Sequence, residues 1–190
     1  MNMIEKAIAF ALEAHNGQKR KQSNLPYILH PLEAAVISQR ICDDEEVITA
    51  TILHDVIEDS ECDFDTIKEL FGEKTAILVE IASEDKMNEI PATESWEARK
   101  KETIKKLRHI DKSAKTVILS DKLSNMRSIH HDYIMFGDEL WMRFNQTDKA
   151  KHEWYYRSIL GEMREFSDTY EFHEYSHLID IVFGQNNKKM

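Results

Sequence analysis

Apolar residues recur along this chain in steps of three and four with few interruptions, which predicts helices almost throughout. Ile4, Ile8, Ala11 and Leu12 mark one such face, and Gly17 suits a C-terminal cap before a polar loop over 18–27. A second helix is predicted to start near His30-Pro31. Proline is tolerated in its first turn, and Leu32, Ala35, Val36 and Ile37 form its buried side. Asp43 or Asp44 can N-cap a third helix through Val47, Ile48, Ala50, Thr51, Ile52, Leu53, Val56 and Ile57, an apolar band wide enough for the centre of a core. A short helix over 64–71, ended by Gly72, is followed by one over 75–82 and by a polar loop over 83–94. Further helices are expected over 96–109, 112–136, 154–166 and 172–183, although Thr116-Val117-Ile118-Leu119 taken alone could pass for a strand.

Composition narrows the class. The 190 residues contain five glycines and three prolines, too few to punctuate the turns of a sandwich or barrel, so the expected fold is all-α. With 42% apolar and 32% charged residues the chain can bury a core of its own. We expect one domain over residues 1–190, with C-terminal helices at about 147–184 packing on it. The apolar stretch Ala7 to Leu12 lies between Glu5 and Glu13 and is too short for a membrane span or a signal core, so a cytoplasmic location is expected. Cys42 and Cys62, 20 residues apart, fit no metal knuckle and no disulfide framework. There is no internal repeat, no low-complexity linker and no glycine-rich phosphate loop.

Charge changes the picture further. The net charge is -10, which argues against general nucleic-acid binding. The distribution is uneven: residues 1–41 carry +2, 42–97 carry -15, 98–127 carry +7 and 128–190 carry -4. An acidic middle between basic blocks is what a cation site acting on an anionic substrate requires, since metals take carboxylates and phosphates take Lys and Arg. Most of these charges also fit ordinary solvated helix faces.

His54 and Asp55 interrupt the most hydrophobic helix, where an unpaired imidazole or carboxylate is costly. On a continuous helix Glu58 and Asp59, four residues further on, share their face. Asp121 follows the apolar run Val117 to Leu119, and His30 sits between Tyr27-Ile28-Leu29 and Pro31. Any one of these suits a hydrogen-bonded role. Together, carboxylates converging with histidines repel one another unless a cation neutralises them, and mixed N and O donors suit Mn, Fe or Zn.

The segments His15-x-Gly17-Gln18-x-Arg20-Lys21, Pro26-Tyr27-Ile28-x-His30-Pro31, Leu53-His54-Asp55-Val56-x-Glu58-Asp59, Phe71-Gly72 and Asp121-x-x-x-Asn125-Met126-Arg127 run in the order seen in HD-domain hydrolases of the RelA/SpoT type. Over about residues 3–160 the chain resembles a stand-alone small alarmone hydrolase. The resemblance implies an all-helical fold and removal of the 3′-pyrophosphate from guanosine tetra- or pentaphosphate (ppGpp or pppGpp), usually with Mn(II). It implies His30, His54, Asp55 and Asp121 as metal ligands and Glu58 and Asp59 acting on water. It also implies Arg20, Lys21 and Lys86 toward nucleotide and phosphate, and Asn125 toward the ribose. The chain departs from the family at Asp121-Lys122-Leu123-Ser124-Asn125, where long members usually have Asp-Arg-Leu-His-Asn. It has no room for their synthetic and regulatory domains, so nucleotide synthesis is not expected.

The chemistry also follows without the family. Phosphate-ester hydrolysis at neutral pH needs a nucleophile stronger than water, and a divalent ion provides it by lowering bound water's pKa from about 15.7 toward 7. Glu58 and Asp59 are suited to take the proton, and Lys19-Arg20-Lys21 with the 98–127 block to clamp the anion. The expected partner is thus a small nucleotide, not nucleic acid or membrane, and a homodimer is left open. Fe(II) or Zn(II) fit the same donors. Rival readings are an HD phosphohydrolase acting on NADPH or a nucleotide monophosphate, and a non-catalytic nucleotide-binding module. His173-Glu174-Tyr175-Ser176-His177 matches the zinc-protease pattern H-E-x-x-H, but no Glu or His follows His177 as a third ligand, so a surface or dimer-facing helix is expected. His130-His131-Asp132 is expected to cap or leave a helix. Trp141, Phe144, Trp154, Tyr155 and Tyr156 are expected mainly in the core or a lobe interface, with stacking on a base as the alternative.

Overall fold

Local sequence signals start most of the helices in the computed structural model, which describes residues 2–20, 24–84 and 90–184. Helix α1 (Met3–Ala14) opens with a capping box in which the Asn2 side chain accepts the Glu5 N–H and the Glu5 carboxylate accepts the Asn2 N–H. Helix α2 (Leu29–Ile41) carries Pro31 in its first turn, and Asp44 caps α3 (Glu45–Leu53) through the N–H groups of Glu46 and Val47. A single turn, α4 (Val56–Asp59), precedes α5 (Phe64–Phe71, capped by Asp63) and α6 (Glu73–Ala82). Gly72, at φ +89°, supplies the backbone conformation that joins these two helices. The later helices are α7 (Ala92–Leu107), α8 (Lys112–Phe136), α9 (Lys149–Glu162) and α10 (Tyr170–Phe183), with 3₁₀ turns over 137–143 and 164–166. Among the described residues there is no strand beyond an isolated bridge between Lys19 and Pro26, so the fold is all-α.

The chain divides into two compact units. The first comprises residues 1–85 and 110–124, the second residues 86–109 and 125–190, and α8 supplies its first half to one and its second half to the other. In the first unit every residue from Val47 to Leu53 is buried, and α3 packs against α1, α2 and α6 as the central helix. Fully burying one such Ile or Leu contributes about 1.5–3 kcal/mol. In the second unit α9 packs against α7 and α10. Its core is aromatic: Trp141 lies 4.9 Å from His152 and 5.4 Å from Phe183, and Tyr155 and Tyr156 are buried nearby. No helix among the described residues is long and apolar enough to cross a membrane.

Several boundaries differ from expectation, each for a local reason. Helix α7 begins at Ala92, directly after Pro91, so the last residues of the expected 83–94 loop are helical. Helix α9 begins five residues before Trp154 because Asp148 caps it, and α10 begins at Tyr170 because Thr169 caps it. Val36 and Leu12 are exposed: α2 turns Ala34, Ala35, Ile37 and Ser38 inward, and α1 buries Ala7 and Ala11. His130-His131-Asp132 does not end a helix, since α8 continues six residues past His130 to Phe136. Cys42 and Cys62 are free thiols packed against the core of the first unit.

Candidate metal centre

The largest departure from the expected helices builds the site. The third helix does not run on to Ile57. It stops at Leu53, turns through His54 and Asp55, and resumes as α4. The Thr51 carbonyl, which a continuous helix would pair with the Asp55 N–H, accepts the His54 Nδ1–H at 2.7 Å. The turn delivers both side chains to one place.

Across from them stand His30 from the first turn of α2 and Asp121 from the first half of α8. His30 Nε2 lies 3.2 Å from Asp121 Oδ1 and 3.7 Å from Asp55 Oδ2. His54 Nε2 lies 3.0 Å from Asp55 Oδ2 and 3.7 Å from Asp121 Oδ1. The structure thus brings His30, His54, Asp55 and Asp121 together, and one donor atom from each of His30, His54 and Asp121 falls within 4.8 Å of the others.

Hydrogen bonds around the cluster settle what its inner atoms offer. A carbonyl only accepts, so the proton of His54 sits on Nδ1 when the ring is neutral, and buried Nε2 is left without a hydrogen-bond partner. His30 Nδ1 is occupied by Ser124 Oγ at 2.9 Å. Two imidazole nitrogens and two carboxylates therefore point at one small buried volume, an arrangement of net negative charge that attracts a cation. Burial opposes a charged His54, yet Asp55 and Asp121 prevail and hold its pKa well above the usual histidine value. Burial pushes His30 the other way, below it. Asp55 is held low against its own burial by His54, and Asp121 by Lys122, whose Nζ lies 2.5 Å from Asp121 Oδ2. The donor set fits a divalent ion with mixed N and O preference.

Tyr27 donates its hydroxyl to Asp55 Oδ2 at 2.6 Å, and burial together with Asp55 raises its own pKa far above the usual phenol value. The segment Pro26-Tyr27-Ile28-x-His30-Pro31 assigns Tyr27 no role by itself; its signal is a hydroxyl inside an apolar run three residues before His30. Glu58 accepts the Glu84 N–H at 3.2 Å, and Asp59 is half-buried on the same turn. The His15-x-Gly17-Gln18 segment anchors that turn: Gln18 accepts from His15 Nδ1 at 2.9 Å and donates to the Asp59 carbonyl at 2.7 Å. Gly17, at φ +76°, allows the chain to fold back for this contact. Arg20 is half-buried, and its backbone N–H bonds the Leu25 carbonyl beside the bridge that closes the loop. Lys21 and Lys86 lie outside the described residues. Asn125 follows Asp121 by one turn of α8, as the first residue of the second unit on that helix.

An HD-domain model matches residues 7–134. The chain belongs to the HD-domain family. Its Aquifex aeolicus relative in that family, named guanosine-3′,5′-bis(diphosphate) 3′-pyrophosphohydrolase, is 37% identical over 129 residues, covering 66% of this chain and 18% of the relative. The chain thus spans less than a fifth of that long HD protein. The Danio rerio protein named guanosine-3′,5′-bis(diphosphate) 3′-pyrophosphohydrolase MESH1 is 34% identical over 131 residues, 67% of this chain and 69% of its own length. A solved structure described as a metazoan ortholog of SpoT that hydrolyzes ppGpp shares the fold, with a TM-score of 0.74 at 21% identity over 97% of this chain and 98% of the other.

Among the described residues of the second unit there is no zincin site of the kind H-E-x-x-H suggests. Glu174 receives both Nε and a terminal nitrogen of Arg127 at 2.7 Å, while His173 and His177 face outward on α10. That helix is no mere surface element either, because Tyr175, Leu178, Ile179 and Val182 on its other side are buried.

Proposed function

We propose that this HD-domain chain, working over residues 1–190 as one phosphohydrolase, removes the 3′-pyrophosphate of guanosine 3′,5′-bis(diphosphate) in the cytoplasm, with His30, His54, Asp55 and Asp121 holding a divalent ion, Mn(II) first and Fe(II) or Zn(II) as other occupants. The observation that carries the reading is the convergence of two imidazole nitrogens and two carboxylates in one buried volume. The substrate comes from the names of the relatives, among them one of comparable length.

A divalent ion bound there lowers the pKa of water and offsets charge developing on phosphorus. The chain's own residues do the rest. Glu58 and Asp59 sit one turn beyond the His54-Asp55 pair, and Gln18 and Glu84 hold that turn in place. They take the proton as the water oxygen bonds to the phosphorus attached to the ribose 3′-oxygen. The bond from that phosphorus to the 3′-oxygen breaks, the oxygen regains a proton, and pyrophosphate and the guanosine 5′-diphosphate leave. Arg20, Lys21 and Lys86 bind the charged groups, which a face rich in carboxylates cannot hold unaided, and Asn125 contacts the ribose.

Phosphorus NMR of the products formed from guanosine tetraphosphate with Mn(II), with and without chelator, tests this. Chelator-sensitive release of pyrophosphate from the 3′-position is expected. Release of inorganic phosphate from NADPH or a nucleotide monophosphate in a parallel panel, with guanosine tetraphosphate left intact, replaces the substrate. Tight binding of guanosine tetraphosphate without turnover under any metal replaces the enzyme with a binding module.

A further inference from the structure

We propose that Ser124 is a positioning residue that fixes His30 for metal binding, its hydroxyl relaying the Glu33 carboxylate to the His30 ring. The inference rests on the metal reading above. Ser124 Oγ donates to Glu33 Oε2 at 2.8 Å and lies 2.9 Å from His30 Nδ1. A serine hydroxyl has one proton, and a carboxylate has none to return. With that proton directed to Glu33, Oγ presents only lone pairs to the ring, so Nδ1 must be the nitrogen that carries hydrogen. Nε2 is then an open donor, aimed at the place where Asp121 Oδ1 and Asp55 Oδ2 also point.

Both His30 and Ser124 are buried, so water does not replace a lost partner. The two histidines are served differently. His54 is oriented by a backbone carbonyl that no side-chain substitution removes, whereas His30 depends on a side chain 94 residues away. Partners that orient a ligating histidine typically govern metal affinity by 10–100-fold.

The test uses the full chain. Mn(II) affinity is measured by the loss of the free-ion EPR signal for wild type, Ser124→Ala, Glu33→Ala and the double variant. NMR of the Zn(II)-loaded wild type and Ser124→Ala follows the two histidine Nδ1–H protons. Ser124→Ala is expected to weaken Mn(II) binding by about 10–100-fold. It should also lose the exchange-protected proton of His30 while keeping that of His54, an internal control for an intact fold. Glu33→Ala, which leaves α8 untouched, should weaken binding less and add nothing on top of Ser124→Ala. Mn(II) binding by Ser124→Ala within twofold of wild type, survival of both protected protons, or additive losses in the double variant would overturn the relay. A wild-type chain that takes up neither Mn(II) nor Zn(II) overturns the metal centre itself and is told apart from a failed relay, in which wild type binds and Ser124→Ala equals it.

Discussion

At the scale of single residues, the proposed function divides labour between side chains that would hold a cation and side chains that would handle water. His54 and Asp121 lie inside the cluster, and Glu58 hangs one turn away on α4. His54→Ala and Asp121→Ala are therefore expected to lose bound metal. Glu58→Ala should keep it and lose turnover by about 10²–10⁴-fold, the range for a general base. Equal metal content in all three, by elemental analysis, contradicts the division. Tyr27 adds a finer test. Its hydroxyl fixes one oxygen of Asp55 at 2.6 Å, so Tyr27→Phe should free that carboxylate to rotate and weaken Mn(II) binding by about tenfold. Unchanged affinity in a calorimetric titration shows that the hydroxyl does not orient Asp55 for binding. The cluster itself was legible because ionisable residues in apolar runs demand partners. Tyr27, Ser124 and Glu33 were not, since a single hydroxyl or helix-surface carboxylate admits many partners, and these pairings join residues 28 to 94 positions apart.

At the scale of elements, caps and breaks set the geometry. The periodicity of Val47 to Ile57 reads as one helix, because both sides of the break are apolar. What interrupts it is a hydrogen bond from the His54 ring to the Thr51 carbonyl, invisible to any count of apolar positions. Helix α8 was legible end to end, since its pattern persists through the ambiguous Thr116 to Leu119 run. Asp44 sets where α3 begins and so where its other end meets the site. It caps two N–H groups and pairs with Lys74 at 2.6 Å, which holds its carboxyl below the usual range. Asp44→Ala should cost about 1 kcal/mol in urea unfolding at pH 7. A carboxyl with a lowered folded pKa stabilises above its unfolded value of about 3.9 and loses that contribution as pH falls through the folded pKa. The gap between wild type and variant should therefore narrow below pH 4, and a gap independent of pH would refute the assignment. On α10, the Arg127 ion pair leaves Glu174 no role as a protease base, so casein should remain uncut by wild type and by Glu174→Ala alike.

At the scale of the whole molecule, the centre joins parts of the first unit that are far apart in sequence. That unit is assembled from residues 1–85 and from 110–124, which enter after an excursion through the second unit. His30, His54 and Asp55 come from the first stretch and Asp121 from the returning one, so a cation held among them clamps the return to the core. Without it, two carboxylates face each other's charge across the cluster, offset in part by Lys122, by the Tyr27 hydroxyl and by the His54 ring whose pKa they hold up. Binding that favours the folded state alone stabilises by about 2.7 kcal/mol when free ion is 100 times Kd. Mn(II) should accordingly raise the unfolding temperature of wild type by several degrees, and a chelator should reverse the shift. Asp121→Ala removes the only one of these four groups on the returning stretch, so its unfolding temperature should be nearly insensitive to the ion. If Asp121→Ala instead shows the wild-type shift at the same free Mn(II), the ion is held without α8, and the clamp between the two stretches does not exist.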